Sequence, residues 1–560
     1  MKTMLIWFGI LSASLLIQEK TNTQNTPPNT TLTQESENQK TKVKTPQVED
    51  ITELVRKNND PTQFAGPPIK FNKGHVNPRQ LDANAIKLNE NGFEIQLPSK
   101  APIPTITFYD GRIYCSGGFH SKEFYCFDAV TGKIVWGINL DDDGPTSAVC
   151  EDDICVFSTE SCTIFAVDAL TGSHRWSWWL GDPLMSTPMI ANGKVFASYP
   201  ASGRFEGDGT AGGGGGQGIL NQQPSFNAPQ QQGKQQAQLK QTEAGKQNRK
   251  GDDLRMDDRK PPQGQSHVLA CFDLKTGKII WQRWIDSDVM SAPVADGNDL
   301  YATSFAGTVY RFEQETGKVL SAVKSRATSA PTIVNGKVNF ARRTDENGET
   351  ARESIGWFDE NMKQAETEFN EQNADYLAKG VQQQSKLKGE SSKLDAGNGF
   401  GGGAPQQANP APALENIGQN NVSSLQGFQG SRGLYFAGNS YCCPGDKIIC
   451  NDQTGKELWA IKLEGDMKKL GGMLAAPPIH AGGYILVSTL AGEVLQIDPD
   501  QGKTVATYKI GQPLRFPPIV NEGRIYVGTQ QGKVFAINTN NPDLTGWTTW
   551  GGNSKHNKTK

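Results

Sequence analysis

Along most of the chain the apolar positions come in short runs. Each is opened by a proline or small residue, carried by two or three aliphatic side chains, and stopped by a turn rich in Asn, Asp and Gly; an alternating run follows. Residues 188–196 (Pro-Met-Ile-Ala-Asn-Gly-Lys-Val-Phe), 331–338 (Pro-Thr-Ile-Val-Asn-Gly-Lys-Val) and 517–526 (Pro-Pro-Ile-Val-Asn-Glu-Gly-Arg-Ile-Tyr) are examples. Each predicts strand, tight turn, strand. A second unit lies downstream: residues 126–136 read Cys-Phe-Asp-Ala-Val-Thr-Gly-Lys-Ile-Val-Trp, and 166–176 read Ala-Val-Asp-Ala-Leu-Thr-Gly-Ser-His-Arg-Trp. The same Asp, Thr-Gly and Trp return as Asp273, Thr276, Gly277 and Trp281, and as Asp452, Thr454, Gly455 and Trp459. Weaker copies carry Thr316-Gly317 with Ser321 at the tryptophan position, and Gln501-Gly502 with Ala506.

The second unit has a physical reading. A small residue and an apolar partner end one strand, the Asp caps a turn through its side-chain oxygen, and Thr-Gly supplies a corner with positive φ. The closing Trp offers a broad apolar surface and one N–H donor, suited to packing on the neighbouring repeat. Trp136, Trp176, Trp281 and Trp459 are therefore expected to dock blade on blade, and Ser321 and Ala506 to mark looser contacts. Cys126, Cys271 and Cys450 fill the small-residue slot as buried side chains. The two units together make four antiparallel strands, one propeller blade. Starts near Pro104, Ser147, Pro188, Pro293, Pro331, Gln426, Pro477 and Pro517 predict an all-β, eight-bladed propeller over residues 93–550. Residues 93–97 are expected to complete the blade begun at Pro517, with 545–550 as the rival for that place.

Composition changes this picture in two ways. Of 560 residues, 56 are Lys or Arg and 59 Asp or Glu, a net charge of −3, which gives no positive field to gather nucleic acid. With 61 Gly and 31 Pro and only 36% hydrophobic residues, part of the chain must be low in complexity. Two tracts fit. Residues 201–266 split the strand pair of the third blade, and 371–425 fall between the fifth and sixth blades after 364–369, the expected outer strand of blade five. Connections between second and third strands and those between blades emerge on one side of a propeller, so both insertions are expected to leave the same face, the one assigned to protein partners. At the start, Lys2 precedes an apolar stretch over residues 4–17, read as a signal peptide or N-terminal apolar anchor within 1–18. Residues 19–92 read as a disordered tether and poorly structured lead-in, and 551–560 as a C-terminal tail.

The Asp-x-x-Thr-Gly-x-x-x-Trp repeat resembles the tryptophan-docking motif of the quinoprotein alcohol dehydrogenases. It is equally similar to the PQQ-like repeats of BamB-type outer-membrane assembly lipoproteins. The first group implies an eight-bladed propeller holding pyrroloquinoline quinone (PQQ) with calcium; the second implies the same fold without a cofactor. No cysteine follows the apolar run before Cys115, so a lipid anchor on an N-terminal cysteine has no acceptor. The adjacent pair Cys442-Cys443 is the feature that the quinoprotein resemblance singles out, because methanol-dehydrogenase-type members carry a disulfide between neighbouring cysteines beside the quinone. Two plain thiols in a loop are the alternative. A quinoprotein further needs carboxylate and amide oxygens on calcium and an aspartate base, and no Asp or Asn here aligns with those positions.

Other constellations are weaker. Residues 139–144 (Asn-Leu-Asp-Asp-Asp-Gly) approach a calcium loop, but Cys150 stands at the twelfth position, and a solvated turn between blades is the expectation. Nine cysteines without a CxxC pair and six scattered histidines signal no zinc module. The glycine run 212–216 lacks a following Lys-Ser/Thr and is linker. Spare tryptophans Trp178, Trp179, Trp284 and Trp357 are candidates for a cofactor floor. The primary expectation is a non-catalytic, exported scaffold in the periplasm or cell envelope that binds proteins, with outer-membrane protein assembly as the setting BamB-type relatives imply and no cofactor. The alternatives are a PQQ-dependent alcohol or sugar dehydrogenase, and a carbohydrate- or polymer-binding propeller using exposed Trp178 and Trp179.

Overall fold

The computed structural model describes residues 48–60, 76–159, 163–180, 186–200, 262, 264–343, 353–363, 432–465 and 474–559. They form eight small antiparallel sheets arranged in a ring, an eight-bladed β-propeller. Blade 1 is built from Thr107–Tyr109, Arg112–Ser116, Glu123–Asp128 and Ile134–Leu140. Blade 2 uses Val149–Glu151, Ile154–Ser158, Thr163–Asp168 and His174–Trp179. Blade 3 uses Met189–Ala191, Lys194–Pro200, His267–Asp273 and Ile279–Ile285, and blade 4 Val294–Asp296, Asp299–Thr303, Thr308–Glu313 and Val319–Lys324. Among the described residues blade 5 has three strands, Thr332–Val334, Lys337–Arg343 and Glu353–Phe358; the expected fourth, 364–369, lies outside them. Blade 6 follows with Leu434–Phe436, Asn439–Cys442, Lys447–Asn451 and Glu457–Lys462, and blade 7 with Ile479–Ala481, Tyr484–Ser488, Glu493–Asp498 and Lys503–Lys509.

Blade 8 closes the ring. Its inner strands Ile519–Asn521, Arg524–Gly528 and Lys533–Asn538 are completed by Gly92–Gln96, with Phe93 opposite Ala536. The rival segment around Thr545 takes a different course: Trp547 bridges Val520 on the innermost strand. Parts of the 19–92 stretch are built into the ring's outer edges. Val76–Pro78 adds to the outer strand of blade 1, Glu49–Asp50 to that of blade 4, and Ile86–Asn89 to the edge of blade 8. The helix Thr52–Asn58 buries Val55 against the cluster holding Trp281 and Val319, and Asn59 exchanges hydrogen bonds with the backbone of Trp284. Composition gave no hint of this, because the apolar contacts are few, Ile51 and Val55 buried and Val48, Val76, Leu81 and Ile86 partly so, and much of the rest is backbone pairing, to which any polar sequence has access.

The turn chemistry is the same in each repeat. Asp128 Oδ1 accepts from the backbone N–H and hydroxyl of Thr131, both at 2.7 Å, and Gly132 follows at φ 68°. Asp168, Asp273 and Asp452 cap their turns likewise. Next to each turn the outer strand pair carries a bulge that sets the tryptophan opposite a small residue: Cys126 faces Trp136, Ala166 faces Trp176, Cys271 faces Trp281 and Cys450 faces Trp459. Where the tryptophan is missing the volumes are exchanged, for Arg311 faces Ser321 and Gln496 faces Ala506.

The residues that border the first tract, and the residue at which the described chain resumes after the second, lie at one end of the ring. Pro200 pairs with His267, so residues 201–266 depart from the end where second strands finish. First strands begin at that same end, and the chain re-enters there at Arg432, just before Leu434–Phe436.

Candidate functional site

Each indole of the repeat reaches the next blade. Trp136 Nε1 donates to the carbonyl of Ala169 at 2.9 Å, Trp176 to Leu274 at 2.8 Å, Trp281 to Gln314 at 2.8 Å and Trp459 to Pro499 at 2.8 Å. Each acceptor is the residue after the turn acid. The ring lies flat on the turn glycine, so closely that a Cβ on Gly172, Gly277, Gly317 or Gly502 would stand 2.5–2.7 Å from it. Phe93 covers Gly132 in the same way at the seam between blades 8 and 1. The two exceptions have separate causes. Ser321 of blade 4 faces a turn where Met362 replaces the glycine, and there Arg311 reaches across to donate to the Glu360 carbonyl while Thr52 of the N-terminal helix covers Ser321. Ala506 of blade 7 faces blade 8, whose outer strand arrives from residues 92–96 and so presents no Thr-Gly turn. The seams expected to be loose are filled by other means at the first and lack a docking corner at the second.

The axis of the ring is occupied by the chain's own last segment. Trp547 exchanges backbone hydrogen bonds with Val520 in blade 8, Phe108 of blade 1 donates to the Thr548 carbonyl, and the Thr549 hydroxyl donates to Ala148 beside blade 2. Ile190 of blade 3 then donates to Ser554 and Ala295 of blade 4 to Lys555, while Asn557 pairs with the backbone of Ile333 in blade 5. Arg432, at the entry to blade 6, donates to the His556 carbonyl at 2.6 Å and lies over the Trp550 ring at 4.8 Å. Trp550 is fully buried and meets His556 edge-on at 4.6 Å. Burial, with the Arg432 charge adding to it, holds the His556 imidazole neutral, its pKa lowered to about 3, and burial lowers Arg432 to about 9. His556 Nδ1–H donates to Pro293, so the neutral tautomer leaves Nε2 as acceptor.

This hub was not singled out in the sequence. Two tryptophans and three glycines within a polar stretch of residues 543–559 were the available signal, since a solvated tail has no use for Trp550. The spare tryptophans are elsewhere. Trp178 is buried on the outer strand of blade 2 with Nε1 donating to Gly277, so it shows no exposed ring to a sugar, and Trp179 beside it is half-buried. Trp284 is tied to Asn59, and Trp357 lies on the third strand of blade 5 under Lys337 at 4.2 Å.

At the end where Pro200 and His267 border the first tract, acidic side chains are turned inward on loop roots. Asp288 accepts from Ser198 at 2.5 Å, and Asp286 from Thr308 at 2.5 Å. Burial pushes the Asp286 carboxyl up, against the hydroxyls of Ser304, Thr308 and Tyr310, which hold it down. Asp142, in the Asn139–Gly144 loop, accepts from Thr159 and Thr163 and serves as an anchor between blades.

The quinoprotein resemblance asks whether PQQ with calcium fits these residues. Among the described residues no three His, Cys, Asp or Glu side chains converge as a metal site would require. Cys442 and Cys443 are both buried free thiols; as successive residues of an extended segment they point to opposite sides, Cys443 into the cluster with Tyr441 and Leu474. The axial space holds Trp550 and His556. The described residues do not form the set that a quinone and its calcium need.

Geometry thus defines a propeller of PQQ-like repeats with a self-filled hub. Residues 120–210, 263–352 and 445–554, more than half of the chain, match the family model described as outer membrane protein assembly factor BamB. The chain belongs to that family. Solved structures that match include BamB from Moraxella catarrhalis, at 15% identity over 80% of this chain and 97% of that one with a TM-score of 0.44. A europium-containing methanol dehydrogenase matches at 12% identity over 83% and 86% with a TM-score of 0.47. The quinohemoprotein alcohol dehydrogenase ADHIIG from Pseudomonas putida HK5 matches at 12% identity over 81% and 76% with a TM-score of 0.43. No curated protein matches the sequence.

Proposed function

We propose that this protein is a non-catalytic, exported scaffold at the cell envelope that holds protein partners on the face carrying residues 201–266 and 371–425, in outer-membrane protein assembly. The observation that carries the reading is the hub. The space in which a propeller of this kind would seat a ligand is filled by Trp550, His556 and their backbone contacts to blades 8 and 1 to 5, with Arg432 from blade 6. What varies from a plain ring is therefore the loop face, where buried acids anchor the roots of the connections. The apolar stretch after Lys2 supports export. The test is a pull-down from envelope extract with the intact chain and with 201–266 or 371–425 deleted. Components of the outer-membrane assembly machinery are expected with the intact chain and lost from at least one deletion whose circular dichroism is unchanged. Retention by both deletions, or stoichiometric PQQ and calcium binding with alcohol-dependent dye reduction, overturns the proposal.

A further inference from the structure

The second blade opens on a tight hairpin. Its strands Val149–Glu151 and Ile154–Ser158 are joined by Asp152 and Asp153 alone, both left-handed at φ 50° and 57°. A two-residue turn of this kind closes on a hydrogen-bonded pair, here Glu151 opposite Ile154. The ladder alternates, so the next pair, Cys150 opposite Cys155, is a non-hydrogen-bonded one. Such pairs hold their Cα atoms about 4.5 Å apart with side chains on one face, inside the roughly 4.4–6.8 Å that a disulfide spans. Both side chains enter the cluster between blades 1 and 2, beside Cys126, Tyr114 and Trp136, and both are free thiols here. Burial, with Cys150 beside it, pushes the Cys155 thiol well above its usual range. None of the other strand pairs described matches cysteine with cysteine.

We propose that Cys150 and Cys155 are a redox-modifiable dithiol that closes to a cross-strand disulfide at the joint between blades 1 and 2. Cys150 is 8% exposed where Cys155 is fully buried, so Cys150 is the first to react. Its thiolate attacks one sulfur of a small disulfide such as glutathione disulfide, and one glutathione thiolate leaves. Cys155 then gives up its proton and displaces the second glutathione from the Cys150 sulfur. Two electrons and two protons pass from the pair to the oxidant, which ends as two molecules of glutathione. This inference is independent of the proposed function, because the oxidant is supplied in the test.

The full chain is exposed to glutathione disulfide at pH 8, in one arm as the folded protein and in another during refolding, then alkylated in denaturant. Cleavage before Asp152 and Asp153 separates the two cysteines. A linked pair of fragments, lighter by two hydrogens and parted by reductant, is expected. Cys155→Ser should instead retain one glutathione on Cys150. Full alkylation of both cysteines in both arms, or a bond from either one to Cys126 or Cys162, overturns the proposal.

Discussion

Two buried histidines make the fold sensitive to mild acid. His267, at the root of the first insertion, and His556, in the hub, are both held neutral by burial, with pKa values lowered to about 3. In the unfolded chain a histidine titrates near 6.5. Between these values the unfolded state binds the extra proton, so stability is complete above about pH 6.5 and falls as pH drops toward 3. Each histidine contributes a slope of up to about 1.4 kcal/mol per pH unit within that window. Denaturant titrations at pH 7, 6 and 5 are expected to show this decline, and His556→Gln to flatten it; an unchanged slope in that variant would contradict the assignment. The turn acids act lower. Thr276 hydrogen bonds, opposed by burial, hold the Asp273 carboxyl below its usual range, so its support is lost only as pH falls through that depressed value.

At the scale of strand and turn, much of the architecture was written in the repeat. Asp, Thr-Gly and Trp each have a local physical reason, and their spacing placed four strands per blade. The exceptions were legible only with the register in view. Ser321 and Ala506 look like defects until Arg311 and Gln496 are seen opposite them, and until blade 8 is seen to lack the corner that Ala506 would serve. Gly277 and Gly193 separate the two duties of a turn glycine. Both sit at φ 68°, but a Cβ on Gly277 would stand 2.6 Å from the Trp176 ring while one on Gly193 meets nothing within 4 Å. Gly193→Ala is expected to cost about 1 kcal/mol, the left-handed penalty alone. Gly277→Ala adds displacement of a fully packed indole and is expected to cost about 1–3 kcal/mol more. Equal losses by thermal or chemical unfolding would mean that the indole does not depend on the bare corner.

For the whole molecule, closure at blade 8 was readable because Phe93 and Ile95 alternate with polar residues next to the first repeat. The hub was not readable, since about half of its bonds run backbone to backbone and nearly all join positions hundreds of residues apart, a relation no local pattern carries. Removing residues 543–560 strips contacts from blades 8 and 1 to 6 together and uncovers the buried surface under Trp550. The truncated chain is expected to keep its β-sheet circular dichroism, to melt at least several degrees lower, and to exchange the amides of Phe108, Ile190 and Ala295 faster. Undiminished protection at those three amides would show that the segment does not hold the hub. Trp550→Ala, a smaller lesion at the same place, is expected to cost about 3–5 kcal/mol.

The seam at blade 8 also dictates an order of events. Gln96 and Gly532, hydrogen-bonded across it, stand 436 positions apart, so the ring is shut by joining sequence made early to sequence made late, at an entropic cost of about 5 kcal/mol. On the ribosome the strip containing Phe93 and Ile95, with only its short hairpin partner Ile86–Asn89 beside it, must wait with one edge and its apolar face open until nearly the whole toroid has emerged. A slowed or stalled nascent chain would expose that strip for longest, which makes it a natural handle for a chaperone and the first edge to seed aggregation when none is at hand.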